Sequence, residues 1–161
     1  MKTRKSTPVA LALLAMGAGL FGNAKAQESS SAAPVYIDHQ KVEASFKHAL
    51  PIPDLFAGQS GSAHYRVRGS RHDGPTEVEI HTEDTDIFYV TSGSATFVAG
   101  GTSPDARQTT PTELRGKSIE GATTYELNPG DAMIVPRGIP HQFQKITSAP
   151  APFLYMEIKV R

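Results

Sequence analysis

From Ser62 onward the chain is a series of short β-prone segments separated by turn signals, and this pattern constrains the fold more than any other feature. Glycines and prolines punctuate the series at Gly93, Gly100-Gly101, Asn128-Pro129-Gly130 and Pro136-Arg137-Gly138. Many short strands at such spacing, with no second helical pattern, are typical of an antiparallel sandwich or barrel. A length of 161 residues allows one ordinary domain. The sequence therefore predicts an all-β fold, built as a single antiparallel sandwich or barrel.

The first 26 residues have the three parts of a secretory signal peptide. Three basic side chains within the first five residues precede the apolar run Val9–Phe21, and Ala24-Lys25-Ala26 supplies the small residues of a cleavage site after Ala26. Thirteen apolar residues are too few to span the roughly 30 Å of a bilayer core. We therefore expect a periplasmic or secreted protein, with no membrane association once the signal peptide is cleaved.

Between the signal peptide and the strands the sequence predicts a tether and one helix. Residues 27–36 are rich in Ser and Ala and are expected to be flexible, and the barrel domain is predicted to span residues 37–161. Asp38 is a good helix N-cap, and apolar residues then recur at every fourth position, at Val42, Phe46 and Leu50. A short amphipathic helix is therefore predicted over residues 39–49.

The stretch Thr102–Gly121 differs in texture from its neighbours. It holds two prolines and two glycines and shows little apolar periodicity. We interpret it as a long loop between strands. Loops of this length in a compact domain are usually functional or mobile, so this one is a candidate lid over a binding site.

Charge and cysteine content exclude several classes of function. The chain has 16 basic and 16 acidic side chains, but the first 26 residues contain four basic and no acidic ones, so the remainder is mildly acidic. Without a basic cluster to neutralise phosphates, nucleic acid is not expected as a partner. The absence of cysteine excludes a disulfide scaffold, a thiolate metal site and a cysteine nucleophile.

Two segments carry candidate metal ligands. Glu79 and His81 are two residues apart in a predicted strand, so they project from one face, and Asp86 opens the next strand. If the two strands form a hairpin, Asp86 meets the other two on one wall of the barrel. His141 follows a Pro/Gly turn at the start of a later strand. Two nitrogens and two carboxylate oxygens suit one divalent Mn, Fe, Zn or Ni ion. On its own, Glu79 is equally consistent with a solvated strand carboxylate.

Other polar residues are weaker candidates. Glu77 shares the face of Glu79 and His81 and is the candidate catalytic base at the mouth of the site. His64 and Arg66 share a face of an earlier strand, where they either bind an anionic group of a substrate or form a solvent-facing row.

Two further interpretations concern residues near this site. Phe88 and Phe143 are predicted to contribute to the core and to line the substrate pocket. His72 lies in the turn-like sequence Arg71-His72-Asp73-Gly74 and is expected to be a surface residue.

The turn before His141 belongs to a longer pattern. Gly-x5-Pro-x-Gly-x2-His is matched in full by Gly130, Pro136, Gly138 and His141. Because the chain uses Gly and Pro at near-average frequency, four fixed residues at this spacing are a specific signal. The pattern resembles the second motif of the cupin superfamily, whose members are small jelly-roll barrels that usually hold one metal. Lys145 stands where that motif has an optional Asn.

The first cupin motif is matched with two substitutions. His81, Asp86 and Gly93 fit its spacing, but Glu79 replaces the usual first His and Asp86 the usual Glu. Two carboxylates formally neutralise a divalent metal and make it a weaker Lewis acid. The substitutions are also consistent with a degenerate site that no longer binds metal. The resemblance covers about residues 62–159. Within the superfamily, this version of the motifs resembles the small exported single-domain cupins.

The resemblance implies a jelly-roll barrel with a short N-terminal helix on its outside, paired as a homodimer. It also implies one divalent metal and a small-molecule substrate, with dioxygenase, isomerase or lyase chemistry. The alternative is a non-catalytic cupin that binds or stores a small molecule. The fold alone does not choose between them, because one fold hosts many functions.

Overall fold

The computed structural model describes residues 34–47 and 53–161. In these residues one helix, α1 (His39–Ser45), precedes eleven strands. The strands are β1 (Phe56–Ser60), β2 (Ala63–His72), β3 (Val78–His81), β4 (Thr85–Ser92), β5 (Ala95–Ala99), β6 (Arg107–Thr110), β7 (Glu113–Gly116), β8 (Thr123–Leu127), β9 (Ala132–Val135), β10 (His141–Ile146) and β11 (Phe153–Val160). The predicted signal peptide and residues 27–33 of the predicted tether lie outside this range.

Two antiparallel sheets form the barrel. One has the strand order β1-β2-β11-β4-β9, and the other has the order β6-β7-β3-β10-β5-β8. Several strands that follow one another in sequence, such as β3 and β4 or β9 and β10, belong to different sheets, so the chain crosses repeatedly between the two layers. This arrangement is a jelly roll, and the predicted fold class is confirmed. No helix in the described ranges is long and apolar enough to cross a membrane.

Aromatic side chains from both sheets fill one end of the barrel. The rings of Phe88 on β4 and Phe97 on β5 meet edge to face, with their centroids 5.8 Å apart. Phe143 on β10 lies 4.9 Å from Phe97 and 5.8 Å from Phe88. Both Phe88 and Phe143 are buried in this core, at 2 % and 4 % exposure. Such contacts between the layers fix the separation of the sheets.

The helix is shorter than predicted. The carboxylate of Asp38 caps it, accepting a hydrogen bond from the backbone N–H of Lys41 at 3.0 Å. It ends at Ser45 instead of residue 49, because Ser45 and Phe46 turn inward and are buried against β2. Gly69 permits this contact, since a Cβ there would lie 2.0 Å from Oγ of Ser45. The helix therefore packs on the barrel through a position that lacks a side chain.

The interpretation of Thr102–Gly121 as an irregular loop is wrong. The segment contains β6 and β7, which pair with each other, and β7 pairs in turn with β3. A further antiparallel bridge joins Thr102 to Glu120. The segment thus forms part of the six-stranded sheet, and it brings charged side chains close to the candidate site.

Candidate metal centre

Strand register places three of the predicted ligands side by side in the six-stranded sheet. Glu79 on β3 pairs directly with His141 on β10 and, on its other side, with Arg115 on β7. His81 pairs with Glu113 on β7. Directly paired residues in antiparallel strands project from the same face, so these side chains share the interior surface of the sheet.

The turn before His141 is tied to His81. The backbone N–H of Gly138 donates to the carbonyl oxygen of His81 at 2.7 Å. Gly138 has φ +80°, a conformation that favours glycine because it has no Cβ. The Pro-x-Gly turn therefore fixes the position of one histidine relative to the other.

Asp86 reaches the same place from the opposite sheet. The predicted β3–β4 hairpin is wrong, because β4 lies in the five-stranded sheet and faces β3 across the barrel. Oδ2 of Asp86 lies 3.3 Å from Nε2 of His81 and 3.6 Å from Nε2 of His141. The site is therefore assembled between the two layers.

The donor atoms have the separations that one metal ion requires. Ligand atoms of Glu79, His81 and His141 all lie within 4.8 Å of one another. Nε2 of His81 is 3.3 Å from Oε2 of Glu79. With metal–ligand distances near 2.1 Å, adjacent ligands are about 3.0–3.4 Å apart in octahedral or tetrahedral geometry. The residues present thus fit a divalent ion.

The orientation of His141 also suits a metal ligand. Its Nδ1 donates to the carbonyl oxygen of Ile139 at 3.0 Å, which leaves the lone pair of Nε2 directed at the other donors. Burial lowers the pKa of His141 and favours the neutral ring. On His81, Nδ1 faces the carboxylate of Glu113 at 3.8 Å.

A lysine that the sequence analysis did not single out lies among these donors. Nζ of Lys159, on β11, is 2.8 Å from both carboxylate oxygens of Asp86 and 2.8 Å from Nε2 of His81. It also lies 3.1 Å from Oε1 of Glu157. The alternation of residues along β11 could have indicated this lysine, because one face of the strand carries Phe153, Tyr155, Glu157 and Lys159. All four residues are buried.

Arginines continue this pairing of charges on both sides of the site. Arg68 on β2 donates to Glu157, which also accepts a hydrogen bond from Ser70 at 3.2 Å. On the opposite sheet, Arg115 donates to Oε1 of Glu79 at 2.6 Å and also to Glu113. Alternating positive and negative groups therefore run through the interior from one sheet to the other.

These contacts shift the titration of the carboxylates. Burial raises the pKa of Glu79, but the hydrogen bond to His81 and the charge of Arg115 outweigh it and hold the pKa well below its ordinary value. Burial likewise raises the pKa of Glu157, but the charges of Lys159 and Arg68 lower it to about 2. Both groups are therefore anions at neutral pH.

Nε2 of His81 has competing partners. Burial lowers the pKa of His81, but hydrogen bonds to Asp86 and Glu79 outweigh this effect and raise the pKa to about 9. When the ring is protonated, it donates these hydrogen bonds to the two carboxylates. The 2.8 Å contact with Lys159 requires the opposite arrangement, because Nζ can only donate. The proton and Lys159 are thus alternatives at this atom, and the observed contact corresponds to the neutral ring.

An open cavity of about 840 Å³ adjoins the donor cluster. Glu79, His81, Glu157 and Lys159 line it, together with the half-buried His72 and the buried Tyr155. Nε2 of His72 lies 3.0 Å from the hydroxyl of Tyr155. His72 is therefore not the surface residue that its turn-like sequence predicted, because β2 continues through it and turns its ring inward.

The remaining predicted residues occupy the periphery or the core. Glu77 lines the cavity with its side chain half exposed, and it accepts a hydrogen bond from Arg107 at 3.2 Å. Arg66 also lines this cavity, but its guanidinium pairs with Asp54 at 3.2 Å. Phe88 and Phe143 lie in the aromatic core and line neither this cavity nor the second one.

A second cavity, of about 570 Å³, is lined mainly by residues of β1 and β2. Lys159, Arg66, Asp84 and Arg161 line both cavities, whereas His64 lines only this one. His64 is exposed and is not brought to the metal ligands. Lys159 therefore borders both cavities.

The family model described as cupin matches residues 56–156, well over half of the chain, and the chain therefore belongs to the cupin family. Its jelly-roll fold and the inward-facing ligand cluster agree with that membership. No curated protein matches the sequence.

Several solved structures are similar to this chain at low identity. Hydroquinone 1,2-dioxygenase PnpCD, in complex with Cd²⁺ and 4-hydroxybenzonitrile, is 17% identical with a TM-score of 0.46, and the match covers 60% of this chain and 58% of that one. The DMSP lyase DddQ from Ruegeria pomeroyi DSS-3 is 20% identical with a TM-score of 0.40, covering 62% of this chain and 39% of the lyase.

Oxalate decarboxylase of Bacillus subtilis is 19% identical with a TM-score of 0.40, and the match covers 60% of this chain and 21% of the decarboxylase. The chain thus spans less than two thirds of the length of each of these three proteins. Similarity at this level carries no conclusion about activity.

Proposed function

We propose that this cupin binds one divalent metal through Glu79, His81, Asp86 and His141 and acts on a small organic molecule outside the cytoplasm. One observation carries the proposal. Donor atoms of Glu79, His81 and His141 lie within 4.8 Å of one another beside an open cavity, and Asp86 approaches both histidines from the opposite sheet. A catalytic centre differs from a structural one in keeping positions open to water or substrate.

The chain's own residues provide the environment of the metal. A bound Mn, Fe, Zn or Ni ion would supply Lewis-acid polarisation of a substrate oxygen. Arg115 holds the carboxylate of Glu79 in place through its 2.6 Å hydrogen bond. Glu77 is the proposed proton acceptor at the rim, since it lines the cavity and is half exposed. Dioxygenase, isomerase or lyase chemistry is compatible with this arrangement.

Metal content of the protein purified without a histidine tag tests the site. We expect near-stoichiometric binding of one transition metal after loading with Mn, Fe, Zn or Ni. His141→Ala should abolish most of it, whereas His39→Ala, which removes an exposed histidine on α1, should not. Less than a tenth of an equivalent of every metal in the wild type would contradict the assignment.

Activity requires a separate experiment. The metal-loaded forms are incubated with phenolic, diketone and sugar-acid substrates while oxygen uptake and product formation are followed. Turnover that disappears in His81→Ala supports an enzyme.

A non-catalytic binding or storage cupin is the second candidate, and the position of Lys159 favours it. The lysine already balances the charge of Asp86 inside the donor cluster. The side chains beside the cavity are therefore held in place even without a metal. Ligands that raise the melting temperature without turnover in any metal form would support this function over the first.

Export and dimerisation are part of the proposal. Mass spectrometry of protein from periplasmic and culture fractions should find a mature chain that begins at Gln27. Light scattering on a sizing column should give twice the mass of that chain. A cytoplasmic product that retains its first 26 residues, or a monomer, would oppose the corresponding part.

A further inference from the structure

Nζ of Lys159 lies inside the set of atoms that we assign to the metal. We propose that Lys159 is the chain's own competitor for this metal, and that its side chain must leave Asp86 and His81 before a divalent ion can bind. The inference rests on the proposed metal-binding function and concerns how the site is regulated.

Lys159 uses the lone pair on Nε2 of His81. Nζ of a lysine can only donate hydrogen bonds, so at 2.8 Å Nε2 is the acceptor. This imidazole nitrogen has one lone pair, and it cannot accept from Lys159 and ligate a metal at the same time. Lys159 therefore occupies the atom that the metal needs.

Lys159 also balances the charge on Asp86. Both of its oxygens lie 2.8 Å from Nζ, and its side chain is 1% exposed. Because so little solvent reaches Asp86, the lysine neutralises most of the attraction that this carboxylate would exert on an incoming cation. A second cation beside Nζ would be repelled strongly.

The side chain of Lys159 has space into which it can move. Lys159 also lines the second cavity, of about 570 Å³, whose lining includes the carboxylate of Asp84, which is paired with Arg161. Rotation of a flexible four-carbon side chain toward that cavity would release Asp86 and His81. Glu157, 3.1 Å from Nζ, keeps Arg68 as a partner after such a movement.

Metal affinity of lysine variants tests the inference directly. Dissociation constants for Zn²⁺ and Mn²⁺ are measured by competition with a chromogenic chelator. Lys159→Met should bind at least about tenfold more tightly than the wild type, since the repelling charge is gone. Lys159→Arg keeps the charge and should stay near the wild-type value. Lys145→Met, an exposed lysine on β10, is the matched control and should change nothing.

The outcomes separate this inference from the proposed function. If the wild type binds metal and Lys159→Met binds it equally or more weakly, the competitor role is overturned and the metal site stands. If neither protein binds metal, the proposed metal function is overturned, and the competitor role fails with it. If only the variant binds, the proposed metal function of the wild type is overturned, whereas the competitor role of Lys159 stands.

A measurement on the wild type keeps the inference testable should Lys159→Met not fold. The protein is labelled with ¹⁵N-lysine, and the side-chain signal of Lys159 is assigned with Lys159→Gln. Saturation with diamagnetic Zn²⁺ should shift that signal strongly and leave the signal of Lys145 in place. An unmoved Lys159 signal at full Zn²⁺ occupancy would overturn the inference.

Discussion

Buried charges in this barrel occur in opposite pairs at hydrogen-bonding distance. Glu157 has Arg68 and Lys159 as partners, and Asp86 has Lys159. Removing one member of such a pair leaves an uncompensated charge in a dry environment, which costs more than the pair itself contributes. At this scale the sequence was least informative: it predicted no role for Lys159, because charged residues ordinarily stay exposed.

Truncation of Glu157 should therefore destabilise the fold. Glu157→Ala leaves Arg68 and Lys159 without their shared carboxylate, and we expect the free energy of unfolding to fall by about 3 kcal/mol. Urea denaturation of the wild type and the variant measures this difference in the free energy of unfolding. Glu126→Ala, at an exposed position that contacts Thr96, should change stability by less than about 0.5 kcal/mol. Equal effects of the two substitutions would contradict the role of Glu157.

Stability should also fall in acid through this group. The pKa of Glu157 is lowered to about 2 in the folded protein, from an ordinary 4.5. A group whose folded pKa is depressed contributes fully above its unfolded pKa and loses that contribution as pH falls through the folded value. The contribution of Glu157 to the free energy of unfolding should therefore decline below pH 4.5. Glu157→Gln should be less stable at pH 7 and should show a shallower decline between pH 5 and 3. Parallel curves would count against this assignment.

At the scale of elements, prediction succeeded where apolar residues alternate. β4 and β11 bury every second side chain along most of their length, and the sequence predicts both strands. β6 and β7 were missed because the sequences RQTT and ELRG have no such alternation, and all four residues of β6 are exposed. Their strand conformation depends on the pairing of β7 with β3 and of β6 with β7, contacts that local sequence does not encode.

The docking of α1 should depend on Gly69. A Cβ at this position would lie 2.0 Å from Oγ of Ser45 and 2.9 Å from the ring of Phe46. Gly69→Ala should therefore displace α1, costing about 1–3 kcal/mol, and hydrogen exchange should accelerate in residues 39–47. In Gly74→Ala, where no atom lies within 4 Å of the added Cβ, exchange should be unchanged. Full protection of α1 in Gly69→Ala would contradict this account.

At the scale of the whole molecule, the candidate site joins the two sheets. Glu79, His81 and His141 come from one layer, and Asp86 comes from the other. The motif predicted these four residues from spacing, but their division between facing sheets could not be predicted, because it depends on how the chain crosses from β3 to β4.

Metal binding should accordingly stabilise the entire fold. A ligand that binds only the native state at 100 times its dissociation constant adds about 2.7 kcal/mol. We expect a higher melting temperature on saturation with the bound metal, reversed by EDTA and absent in His141→Ala. A metal-independent melting temperature in the wild type would argue against a site that spans the sheets.

The barrel is held closed by different forces at its two ends. Rings such as Phe88, Phe97 and Phe143 close one end, and the charges around Lys159 close the other. Salt screens accessible charges over about 8 Å at physiological strength but screens buried pairs much less, and the burial of rings does not depend on such screening. Both ends should therefore keep the two layers together as ionic strength rises, and the shape of the interior is expected to be insensitive to the salt content of the surroundings.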